Sequence, residues 1–134
     1  MKVRAVRESL EPSVAMRTPP SAAGFNVSLG KEYIVFTVDC SCDSGIFGNF
    51  GDSTLYGLED EYGRLMIYPA ALFEVVDARV SRYWVAGYRE GSFQLRPQEF
   101  IDNIYLSDDI HEDLPGARAT FREIKARLEA EAAE

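Results

Sequence analysis

Tyr33-Ile34-Val35-Phe36-Thr37-Val38-Asp39 is the stretch on which the reading of the fold turns. Tyr33, Val35 and Thr37 alternate with Ile34, Phe36 and Val38, which leaves little polar face. An extended chain with two apolar faces predicts a strand buried on both sides and central in its sheet. Leu65-Met66-Ile67-Tyr68 and Leu72-Phe73-Glu74-Val75-Val76-Asp77 repeat the pattern, separated by the interruption Pro69-Ala70-Ala71. Between them and the first run, Glu59-Asp60-Glu61-Tyr62-Gly63-Arg64 reads as a hairpin turn, with Gly63 supplying the positive φ.

On the C-terminal side, Ser81-Arg82-Tyr83-Trp84-Val85-Ala86-Gly87-Tyr88 continues the β pattern, and Phe93-Gln94-Leu95 reads as a short edge strand. On the N-terminal side, Val3 and Ala5 alternate with Lys2 and Arg4 as a half-buried strand would, before proline-rich sequence breaks any regular element. Five or six short strands in series predict a small curled antiparallel sheet or a Src-homology-3-like barrel. After residue 96 the period changes. Pro97 opens a short helix that sets Phe100, Ile101, Ile104 and Tyr105 on one face; an acidic linker covers 107–113; Pro115 opens a second helix with the stripe Ala117, Phe121, Ile124 and Leu128. The expected class is α+β: one domain over 1–134, with an N-terminal arm and loop (1–28), a β-rich core (29–96) and a C-terminal helix pair (97–134).

The formal net charge of -8 is unevenly placed. Residues 1–31 carry five basic and two acidic side chains, whereas the remainder carries nine and twenty. An acidic body repels phosphate backbones, so direct nucleic-acid binding is not expected, and the same field speeds encounter with a basic protein. No window has the apolar length of a membrane span, and the first residues lack the apolar core of a signal peptide, so a cytosolic protein with free thiols is expected. Cys40 and Cys42, two apart on an extended chain, stand near the limit of disulfide reach.

Catalytic chemistry finds no motif. Cys40, Cys42 and His111 are three ligands where a structural zinc site draws on four, and His111 sits among carboxylates without a nucleophile motif around it. Gly45, Gly48 and Gly51 form no phosphate loop, because neither a lysine nor a helix start follows them. No metal, cofactor or catalytic residue is expected. The insertion after Asp39 does carry Ile46, Phe47 and Phe50, which fold back as a lid or join a binding surface.

Leu29-Gly30-Lys31-Glu32-Tyr33-Ile34-Val35-Phe36, followed by Tyr68-Pro69-Ala70-Ala71-Leu72-Phe73-Glu74-Val75-Val76-Asp77-Ala78-Arg79-Val80-Ser81-Arg82-Tyr83-Trp84, resembles small bacterial immunity-type proteins. Those accompany polymorphic or contact-dependent toxins. The resemblance implies tight, non-catalytic binding that blocks a toxin domain, often a basic nuclease. The residues expected to meet such a partner are Phe47, Phe50, Asp52, Tyr56, Glu59, Asp60 and Glu61, with a second patch at Asp108, Asp109, Glu112 and Asp113. A rival expectation is a small enzyme or ligand-binding barrel, with the Cys40/Cys42 loop as lid over a pocket lined by Tyr33, Tyr68, Trp84 and Tyr88. A third is a structural interaction module that docks through the helix from Pro115.

Overall fold

Residues 33–39 do not form one strand. In the computed structural model, which describes residues 1–9, 25–41 and 54–134, the run divides into β2 (Glu32–Ile34) and β3 (Thr37–Ser41), which belong to different sheets. The break lies at Val35 and Phe36, whose amides leave the ladders to donate to the carbonyls of Met1 and Gly57. Side-chain parity records the crossing. Tyr33 and Val35 enter one core and Ile34 and Phe36 face the other; Val38 and Cys40 then return to the first, one residue out of phase. Two apolar faces were legible; the change of sheet between them was not, because period-2 alternation continues up to the point where the phase slips.

The small sheet has the order β2-β1-β6, with β1 (Lys2–Ala5) in the centre and β6 (Phe73–Asp77) outside, all antiparallel. The alternation at the N-terminus therefore builds a central strand, with Val3 and Ala5 buried. The large sheet has the order β5-β4-β3-β8-β7, also antiparallel, from β4 (Thr54–Glu59), β5 (Leu65–Pro69), β7 (Trp84–Arg89) and β8 (Ser92–Pro97). The two sheets stay open and do not close into a barrel. The chain changes sheet again at Ala70–Leu72, a single 3₁₀ turn between β5 and β6. There the Leu72 carbonyl accepts the amides of Val6 and Arg7 and binds this corner to β1.

The expected edge strand at 93–95 is β8, which pairs on both sides, with β3 and with β7; β7 is the edge. The hairpin at 59–64 forms as expected, with Gly63 at φ 70° and the Asp60 amide donating to Arg64 O. Beside Thr37 on the β3–β4 ladder, residue 57 must be glycine: an added Cβ would sit 2.1 Å from Thr37 Oγ1.

Three helices follow, α1 (Gln98–Asp102), α2 (Leu106–His111) and α3 (Pro115–Ala132). The first is shorter than the pattern suggested. Asn103 ends it by taking the Tyr105 amide on its side chain, which turns Ile104 and Tyr105 outward at 51% and 63% exposure. The stretch read as an acidic linker is helix α2, because Leu106 and Ile110, four apart, are both buried beneath its carboxylates. Helix α3 buries the anticipated stripe of Ala117, Phe121, Ile124 and Leu128.

Two cores result. One draws on both sheets, through Val3, Tyr33, Val35, Val38, Tyr56, Leu58, Tyr68 and Leu72. The other joins Phe36 to the helices, with the Phe36 and Phe121 rings 5.2 Å apart. Because α3 supplies half of that second core's buried side chains, it is part of the fold and has no apolar face left over for docking.

Candidate partner-binding surface

The acidic turn between β4 and β5 is consumed by the fold. Asp60 is buried, its Oδ1 taking the amides of Tyr62 and Arg64 and its Oδ2 the Tyr68 hydroxyl at 2.9 Å. Glu61 accepts a hydrogen bond from the Tyr33 hydroxyl and pairs with Lys31 at 2.9 Å. The hydroxyl, helped by Lys31, holds the Glu61 carboxyl below its usual range, while burial and the carboxylate push Tyr33 up to about 12. Burial, then the hydrogen bond to Asp60, likewise raises Tyr68. Glu59 reaches Lys125 on α3 at 3.1 Å. Tyr56 lies in the first core. Of the first expected patch, Tyr56 and Asp60 are therefore interior, Glu59 is half-buried and Glu61 exposed, both of them paired, and Phe47, Phe50 and Asp52 lie outside the described residues.

The second expected patch is different. Asp108, Glu112 and Asp113 are exposed on and after α2, and Asp109 is half-buried. Asp113 pairs with Arg118 at 3.2 Å, and Asp109 takes a hydrogen bond from the Asn103 amide at 3.3 Å. No side-chain ion pair or hydrogen bond among the described residues uses Asp108 or Glu112. Between 102 and 113 there are five carboxylates, one histidine and neither lysine nor arginine. Within this acidic run stand the exposed side chains of Ile104 and Tyr105, and Leu114 follows it at 45% exposure. Apolar anchors rimmed by charge of one sign are the anatomy of a protein-binding surface. The anchors escaped the sequence reading because the helical period placed Ile104 and Tyr105 on a buried face; Asn103, a turn former, was the available signal.

The four aromatics expected to line a pocket are not gathered. Tyr33 borders a cavity of about 210 Å³ with Phe36, Glu59 and Lys125, whereas Tyr88 borders another of about 300 Å³ between β7, β8 and α1. Tyr68 is a core residue bonded to Asp60, and Trp84 packs against the same core. Cys40 is half-buried on β3, and its partner in the expected lid, Cys42, lies outside the described residues. Among the described residues no three His, Cys, Asp or Glu side chains gather in a metal-holding group, and no helix is long and apolar enough to cross a membrane.

No family model matches the chain, and neither a curated protein nor a solved structure matches it.

Proposed function

We propose that this protein is a non-catalytic binding protein of the immunity type, which neutralises a basic toxin domain by covering it with the surface of α1, α2 and their connection. The observation that carries the reading is the acidic run 102–113 around exposed Ile104 and Tyr105, in which Asp113 alone is ion-paired among the described residues. Elsewhere the fold pairs its clustered carboxylates with Lys31, Arg64, Arg79 or Lys125; here it leaves Asp108 and Glu112 to solvent. Such charge speeds the approach of a cationic partner and selects against acidic ones, while the aromatic and aliphatic anchors supply affinity.

Co-purification of the tagged protein from its source cells, at low and then moderate salt, tests the reading. The expected result is one basic protein that arrests growth when expressed alone and is silenced by this chain. The combined variant Asp108→Asn, Asp109→Asn, Glu112→Gln and Asp113→Asn should slow association at least tenfold at low salt without lowering the melting temperature. Recovery of small molecules alone, or a partner whose affinity ignores both this variant and Tyr105→Ala, would refute the assignment.

A further inference from the structure

Among the described residues four strands lie at sheet edges, and three of them are protected against pairing with another chain. Strand β2 has only three residues; β6 carries Glu74 and Asp77 and pairs with β1 through a register shift; β5 ends on Pro69 and has α2 packed against it. Among the described residues, strand β7 shows none of these devices. Its six residues, Trp84-Val85-Ala86-Gly87-Tyr88-Arg89, pair with β8 without a register shift, and no proline or charge precedes Arg89. The Glu90-Gly91 turn has both φ angles positive, 51° and 79°, so Arg89 and Ser92 form a hydrogen-bonded pair across a two-residue hairpin. By alternation, Val85 and Gly87 also point their amides and carbonyls toward β8, and those of Ala86 and Tyr88 point away from it.

Gly87 is the second observation. An added Cβ there would meet no atom within 4 Å, and its φ is not in the left-handed region. None of the described residues asks for a glycine there, although glycine weakens a strand interior and often marks close approach of another backbone. It forms part of the floor of the groove of about 300 Å³ walled by Val85, Phe100, Ile101 and Ile104.

From these we infer that β7 pairs antiparallel with β7 of a second copy, about a two-fold axis through Gly87. In that register Ala86 of each copy faces Tyr88 of the other, and their outward amides and carbonyls satisfy one another. Val85 faces Arg89. On one face the small Ala86 thus lies opposite the large Tyr88, and the axis passes where no side chain stands. The stretch 82–96 holds three arginines and one glutamate, so the joint brings like charges together, a repulsion that moderate salt screens.

Sedimentation velocity of the full chain over about 1–300 µM at moderate salt is expected to show a monomer–dimer equilibrium. Its Kd should be on the order of 10–100 µM, as suits an interface under about 1,200 Å². Amide exchange at Ala86 and Tyr88 should slow as concentration rises. Ala86→Pro removes an outward amide at an edge where proline is tolerated, and Tyr88→Lys places a charge on the joint. Each should weaken the dimer at least tenfold with an unchanged circular dichroism spectrum. If Ala86→Pro unfolds the chain, Tyr88→Lys decides, because its side chain is 71% exposed in the monomer. Wild-type protein that stays monomeric to the top of the range, or a dimer that the folded variants leave intact, overturns the inference.

Discussion

The carboxylates of the β4–β5 turn and those of α2 are chemically alike, and both groups stand out in the sequence as acidic clusters. Asp60 is sealed beneath the turn by two amides and a tyrosine hydroxyl, and its neighbours are tied to Lys31 and Lys125. Asp108 on α2 and Glu112 just after it face solvent, while the apolar side of that helix holds Leu106 and Ile110. The comparison teaches that an acidic run gives no sign of whether its charge is spent on the fold or kept for a partner. Donors decide that, and most of those donors are distant in sequence or belong to the backbone.

Removing one carboxylate from each group should separate them most sharply. Asp60→Ala strands the buried Tyr68 hydroxyl and two turn amides, and should cost about 2–4 kcal/mol by denaturant unfolding. Asp108→Ala should change stability by less than about 0.5 kcal/mol. Equal losses would erase the distinction.

Titration sharpens it next. Tyr33 and Tyr68 have folded pKa values above their ordinary 10, so the stability they lend is complete below about pH 10 and drains away as pH rises, for Tyr33 through about 12. Glu61 and Asp77 are depressed, by the Tyr33 hydroxyl and by Arg79 respectively, so their contribution is present above the unfolded carboxylate range and is lost as pH falls below about 4.5. Melting temperature followed from pH 7 to 11.5 should fall at the alkaline end, and less steeply in Tyr33→Phe. An identical alkaline slope in that variant would show that the turn does not hold the tyrosine protonated.

The smallest expected effect concerns the partly exposed tie between turn and helix. Lys125→Met removes the partner of Glu59 while keeping the aliphatic stem, and should cost about 0.5–1 kcal/mol. A loss of several kcal/mol would mean that the pair behaves as a buried one.

Much of the fold was readable where the local signal and the tertiary contact agree. The stripe on α3 follows the helical period, and the Gly63 turn follows from a backbone conformation that favours glycine. Legibility fails where a residue obeys a distant partner. Asn103 stops α1 and exposes Ile104 and Tyr105, though the apolar period runs on through them. Helix α2 was concealed because two buried residues among carboxylates make a weak pattern, and only the second core shows why Leu106 and Ile110 are apolar.

By itself the chain determined an α+β class, an acidic body, the placement of its longest helix and the absence of any recognisable catalytic motif, because these depend on composition and on periodicity within a few residues. Tertiary structure alone decided that residues 33–39 divide between two sheets, that Asp60 is a structural acid while Asp108 is a surface one, and that β7 and not β8 lies at the edge. Each of those outcomes depends on which strand or donor arrives from elsewhere in the chain, and burial and hydrogen-bond satisfaction are properties of that meeting.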